Sequence, residues 1–187
     1  MSNIYERILK KRMGWTVETT IDLPEKCVIC VAPHTSNWDF ILGELYIRSI
    51  GKTANFLMKK EWFFWPLGSF MRRIGGIPVE RSKKTNLTDQ LAEAAEKAET
   101  FRLAVTPEGT RSRVETWKRG FYYIALKAKL PILLYAIDFG HKRIVCTKQI
   151  IPSGDVEADM GEILRYYAEG DFIPRFPEKF YANPEQP

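Results

Sequence analysis

Histidine and cysteine are both scarce in this chain, with two histidines and three cysteines among 187 residues. A mechanism that needs an imidazole therefore has two candidates, His34 and His141. Cys27, Cys30 and Cys146 are odd in number and too few for a disulfide framework, which predicts a reduced, cytoplasmic setting. Cys27-x-x-Cys30 encloses Val28 and Ile29 instead of opening a helix, and no further ligands follow at matching spacing. Both cysteines are expected in the core, and neither a metal site nor a cofactor is expected. No window holds about 18 consecutive apolar residues, so no transmembrane helix is predicted. Met1 to Trp15 also lacks the continuous apolar run of a secretory signal. A Gly-x-Ser-x-Gly elbow, a Walker-type loop and a Rossmann glycine fingerprint are all missing, which argues against an α/β-hydrolase and against the common nucleotide-binding motifs.

What is present is ordinary globular composition, 45% hydrophobic and 27% charged, in a length that fits one domain spanning 1–187. Folding at this size buries roughly 70% of the unfolded chain's surface, enough for a core without staples. The net charge of +5 is a mild basic surplus. It suits nucleic acid, anionic lipid or an acidic protein. Aromatic residues bunch at Trp62, Phe63, Phe64, Trp65 and Phe70 between Lys59, Lys60, Arg72 and Arg73. That mixture suits a membrane interface, or else a buried amphipathic helix. There is no basic stripe, so no nucleic-acid partner is expected. Within residues 1–15, Ile4, Ile8 and Leu9 share one face of a short amphipathic helix bearing Arg7, Lys10, Lys11 and Arg12, a second candidate for the headgroup layer.

Strands and helices alternate along the chain. Cys27–Ala32 is a continuous apolar, β-branched run, as expected of a strand covered on both faces. Further strands are predicted at Ala54–Met58, Ile77–Glu80, Leu103–Thr106 and Ile132–Ile137, with Ile144–Ile151 an antiparallel partner after Gly140. Helices are predicted at Asn37–Ile50, at Glu61–Ile74 with a break or start near Pro66, and at Asn86–Thr100, Trp117–Lys129 and Val156–Ala168. The proline-rich tail over 171–187 is expected to wrap the surface. The pattern predicts a single α/β domain with a mostly parallel, mixed sheet flanked by helices. Functional groups should then gather at the carboxyl ends of the strands.

Two segments stand at such ends. In Pro33-His34-Thr35-Ser36-Asn37-Trp38-Asp39, a histidine precedes a helix and an aspartate falls in its first turn, where it can hold one ring nitrogen and aim the other. Ser36 to Asp39 matches a capping box equally well, which would make Asp39 a helix-start residue and nothing more. His141 follows Gly140 in a polar turn and reads as a surface residue. In Thr106-Pro107-Glu108-Gly109-Thr110-Arg111-Ser112, backbone N–H groups around Gly109 and the fork of Arg111 suit a phosphate, although a solvated tight turn has the same composition. Arg81 follows a third strand and is weak evidence alone.

His34-Thr35-Ser36-Asn37-Trp38-Asp39 resembles the His-x-Ser-x-x-Asp first block of the 1-acylglycerol-3-phosphate acyltransferase (lysophospholipid acyltransferase) family. Gly76-Ile77-Pro78-Val79-Glu80-Arg81 resembles the second block, Pro107 to Ser112 the third, and Leu130-Pro131-Ile132-Leu133 the proline-bearing fourth. These blocks occur in the family's order across a motif-bearing core, 28–137. Pro33, Pro78, Glu80 and Thr106 depart from the usual residues, and the hydrophobic N-terminal anchor of many members is not expected here.

The resemblance implies a glycerolipid acyltransferase-like fold. His34 would be the base and Asp39 its partner. Arg81, Glu108, Gly109, Thr110 and Arg111 would bind the acceptor, with Pro131 in a substrate wall. The implied donor is acyl-CoA or acyl carrier protein, and the acceptor a lysophospholipid. The expected location is the cytoplasm, peripherally on the inner, anionic face of the membrane. The competing readings are an idle lipid-binding module and an acyltransferase for another hydroxylated polar lipid.

Overall fold

A computed structural model of the chain describes residues 3–79 and 87–185. Seven strands form one sheet in the order β1-β7-β6-β2-β5-β3-β4. They are β1 (Thr16–Thr19), β2 (Lys26–Val31), β3 (Asn55–Lys59), β4 (Gly76–Val79), β5 (Phe101–Val105), β6 (Ile132–Asp138) and β7 (Arg143–Ile150). Among the described residues only β6 and β7 pair antiparallel; every other neighbouring pair is parallel. The helices are α1 (Ile4–Glu6, running on as a π-helix over Arg7–Arg12), α2 (Asn37–Ser49), α3 (Leu67–Arg73), α4 (Leu87–Lys97), α5 (Gly120–Ala128) and α6 (Val156–Glu169).

The apolar run in β2 is buried on both faces because its side chains alternate between two separate cores. Cys27 and Ile29 join Leu42, Ile47, Leu133 and Ile137 on the α2 side. Val28 and Cys30 join Leu103, Phe121, Leu134 and Ile163 on the side of α4, α5 and α6. The two cysteines therefore face opposite sides of the sheet and cannot pair. Burial pushes the thiols of Cys27 and Cys146 up to about 12, leaving them unreactive.

Parallel register sets the site. Cys30 pairs with Val105 of β5, and Val31 pairs with Tyr135 of β6. The loops after β2, β5 and β6 therefore leave the sheet side by side at one edge.

Several elements differ from expectation, each for a local reason. The aromatic segment splits into a 3₁₀ turn (Lys60–Trp62) and α3, since Pro66 has no N–H to continue a helix. α5 begins at Gly120 and not at Trp117, because the Lys118 N–H is taken by Pro107 O at 2.8 Å. β1 is an added edge strand, mostly exposed and without an apolar alternation to reveal it. On the N-terminal helix Leu9 is fully buried in the core beside Leu42 while Ile4 is 63% exposed, so the core takes up only part of the apolar face expected for the headgroup layer. Of the second block, β4 forms at the sheet edge, where Pro78 is tolerated. Glu80 and Arg81 lie outside the described residues.

Residues 173–181 run past the loops that follow β2 and β6. Ile173 O accepts from Phe139 N and Gly140 N, Phe176 N donates to Thr35 Oγ1 at 3.3 Å, and Trp117 Nε1 donates to Tyr181 O at 3.0 Å.

Candidate active site

Ser36 caps α2 in extended conformation, and its Oγ accepts from Trp38 N at 3.2 Å. Asp39, at the third helical position, closes the capping box: its Oδ2 accepts from Ser36 N at 2.8 Å. The same oxygen accepts from Thr35 N at 2.8 Å and meets His34 Nδ1 at 3.1 Å, while Oδ1 takes the Ser36 hydroxyl at 3.1 Å. The two readings of this segment are thus one structure. The helix cap holds the carboxylate rigidly, and that carboxylate holds the imidazole. Facing a carboxylate, Nδ1 donates, which leaves the lone pair on Nε2. That nitrogen has no protein partner among the described residues, and the His34 side chain is 18% exposed, enough to meet a substrate.

Glu108 lies beneath this loop. It is buried, and its Oε1 accepts the backbone N–H of His34 at 2.8 Å, tying the loop after β5 to the loop after β2. Oε2 is buried with no hydrogen-bond partner among the described residues. Burial pushes the carboxyl up to about 7, against the pull of the His34 N–H and with some help from the Asp39 charge.

Gly109 follows with φ of 67°, a left-handed conformation that favours glycine. A Cβ there would stand 2.8 Å from Lys118 Cε and Nζ, so the missing side chain lets the Lys118 ammonium pack over the turn. Thr110 and Arg111 are exposed, and the Arg111 guanidinium donates to Asn37 Oδ1 in the first turn of α2. His34, Asp39, Glu108 and Arg111 are thus brought together, with Gly109 and Thr110 on the same loop. His141 stands apart in the β6–β7 turn, and Pro131 lies just before β6, at the opposite edge of the sheet from His34. Sequence reasoning missed Lys118, Asn37, Arg175 and the Phe176–Thr35 bond. Nothing local signals a contact across 141 residues.

A histidine whose Nε2 has no protein partner among the described residues, backed by a carboxylate and flanked by a cationic loop, has the geometry that general-base chemistry requires. The chain belongs to the acyltransferase family, whose family model, described as Acyltransferase, matches residues 14–138. It is 27% identical over 146 residues to a 1-acyl-sn-glycerol-3-phosphate acyltransferase of Limnanthes alba, covering 71% of this chain and 50% of that protein. It is 29% identical over 158 residues to a probable 1-acyl-sn-glycerol-3-phosphate acyltransferase of Mycoplasma pneumoniae, covering 75% and 54%. The chain spans about half the length of the curated relatives it matches. The crystal structure of the 1-acyl-sn-glycerophosphate (LPA) acyltransferase PlsC from Thermotoga maritima superposes with a TM-score of 0.55 at 23% identity, over 88% of this chain and 73% of that one, a likeness of fold.

Proposed function

We propose that the chain transfers a fatty acyl group from acyl-CoA or acyl carrier protein to a hydroxyl of a lysophospholipid such as 1-acylglycerol-3-phosphate. The observation that carries this reading is His34, held through Nδ1 by a carboxylate that the helix cap immobilises, with Nε2 open. Nε2 takes the proton of the acceptor hydroxyl as its oxygen attacks the thioester carbonyl. Collapse of the tetrahedral intermediate breaks the C–S bond, and the imidazolium returns the proton to the departing thiolate. Ester and free thiol leave with charge and atoms balanced. Asp39 offsets the imidazolium charge, and Glu108 fixes the loop through the His34 N–H. Gly109, Thr110, Arg111 and Arg81 take the acceptor's phosphate and glycerol, as the block resemblance implies.

Incubating the purified chain with 1-acylglycerol-3-phosphate and either acyl-CoA or acyl carrier protein should give diacylated product by mass spectrometry, and the productive donor identifies the class used. Acylation of another hydroxylated polar lipid instead would move the acceptor assignment. No transfer to any acceptor would leave the idle lipid-binding module.

Among the described residues no helix is long and apolar enough to cross a membrane. The 60–74 segment supports peripheral attachment on an anionic surface. Trp62, Phe64 and Phe70 are exposed, Trp65 is 85% exposed, and Lys59, Lys60, Arg72 and Arg73 flank them. Each cation adds about 1 kcal/mol near anionic lipid. The chain should therefore sediment with anionic vesicles and not neutral ones, and Trp62→Ala with Trp65→Ala should reduce this. Equal binding to both vesicle types would sink the attachment.

A further inference from the structure

The C-terminal strap brings one more cation to the first turn of α2. Arg175 sits with its guanidinium carbon 5.5 Å from the Trp38 ring centroid and 5.7 Å from that of Phe176. It is exposed and makes no ion pair among the described residues. The next residue of the strap anchors it to the catalytic loop: Phe176 N donates to Thr35 Oγ1, and Thr35 N donates to the Asp39 oxygen that meets His34. Two adjacent residues of α2 thus carry two guanidinium groups from distant parts of the chain, Arg111 on Asn37 and Arg175 on Trp38.

We propose that Arg175 joins Arg111 in binding a substrate phosphate at the first turn of α2, beside His34. Stacking occupies the face of a guanidinium and leaves its N–H edge for a planar, two-point contact with phosphate oxygens. Two forks suit a phosphate, whose charge is also favoured at the N-terminal end of a helix. An arginine without a carboxylate partner keeps those donors free for a ligand. Delivery by the strap gives residues 171–181 a part in the site that lies outside all four sequence blocks. This rests on the acyl-transfer reading only for the identity of the ligand. Phosphate is common to the lysophospholipid headgroup and to coenzyme A.

Equilibrium binding separates these sources and needs no turnover. Three probes are titrated calorimetrically into the wild-type chain and Arg175→Gln: 1-hexanoylglycerol 3-phosphate, coenzyme A and phosphate-free 1-hexanoylglycerol. Loss of one charge-assisted contact should weaken a phosphate-bearing probe about 10-fold. Arg175→Lys should recover only part of that, since an ammonium lacks the fork. Weakening of the lysophosphatidate probe assigns the phosphate to the acceptor; weakening of coenzyme A assigns it to the donor. Either outcome supports the proposal. Unchanged affinity for both phosphate probes overturns it. Equal weakening of the phosphate-free probe also overturns it, because Arg175 would then only pack Trp38. A chain that binds phosphate through Arg175 yet transfers no acyl group would sink the proposed function and leave this site standing.

Discussion

His34 and His141 both present Nδ1 to an aspartate Oδ2, at 3.1 and 2.7 Å, and both lie at the loop-bearing edge of the sheet. What separates them is the second ring nitrogen and the company of the carboxylate. His34 Nε2 has no protein partner among the described residues, whereas His141 Nε2 faces Asp171 Oδ2 at 3.7 Å. Asp39 collects donors from its own helix cap, while Asp138 is a fully buried hub. It accepts Arg143 Nε at 2.7 Å, His141 N at 3.1 Å and Ile173 N at 3.2 Å, which fixes the β6–β7 turn and the strap. A His–Asp pair is therefore not itself a sign of catalysis. The pair that stands beside the loop of Glu108 and Arg111 can do proton chemistry, and the pair whose carboxylate also ties Arg143 and Ile173 is a fastener.

The largest expected effect breaks this comparison directly. His34→Ala should lower acyl transfer by about 10²–10⁴-fold, the usual size for a lost general base, while leaving the melting temperature close to wild type. His141→Ala should leave turnover within about two-fold, because it removes only a tie within the fold. A folded His34→Ala chain with wild-type turnover, or a His141→Ala chain as inactive as His34→Ala, would reverse the assignment.

Next comes the contrast between two of the buried carboxylates, Glu108 and Asp138. Glu108 stands with one oxygen unanswered, and burial raises it to about 7 from 4.5. The folded chain thus holds this proton more tightly than the unfolded chain. Stability should fall as pH rises from about 4.5 and level off above about 7, a total loss of about 3 kcal/mol. Glu108→Gln keeps an oxygen to accept the His34 N–H and removes the charge. Denaturant unfolding should find the variant equal to wild type near pH 4 and more stable by up to about 3 kcal/mol at pH 8. Parallel stability curves would show that Glu108 is not the group responsible.

Much of this was legible in the residues. The apolar strands, the antiparallel hairpin after Gly140 and the order of the helices followed from periodicity and from turn residues. The His34–Asp39 contact was within reach because the pair spans only a strand end and one helical turn. The local pattern also left it tied with a capping box, and the structure resolves that tie by using one carboxylate for both. For Glu108 the resemblance implies an acceptor ligand and the local composition allows a solvated tight turn. The burial of Glu108 beneath His34 depends on the β2–β5 register, which no local pattern encodes. β1 escaped because its exposed edge carries no alternation, and Leu9 was assigned to a membrane face because an amphipathic helix docked on a core has the same periodicity. The Arg175–Trp38 and Phe176–Thr35 contacts escaped because they depend on how a proline-rich tail is pinned at Asp138.

The smallest expected effect sharpens the comparison at that pin. Burial pushes the Asp138 carboxyl up, but Arg143, the His141 ring and the N–H groups of His141 and Ile173 outweigh it and hold the group below its ordinary value. Its contribution to stability is therefore present at neutral pH and is lost only in acid, as pH falls below the ordinary range of an aspartate, the opposite of Glu108. Asp138→Asn keeps one accepting oxygen but turns an amide toward Arg143, which retains Glu18 at 3.1 Å as a partner. The loss should be about 2 kcal/mol, less than for a pair with no alternative. For a chain of this size that lowers the melting temperature by roughly 4–8 °C at neutral pH. Acyl transfer well below the melting temperature should change little. If Asp138→Asn abolished transfer in a folded chain, the second pair would be part of the site, and the line drawn between the two histidines would be in the wrong place.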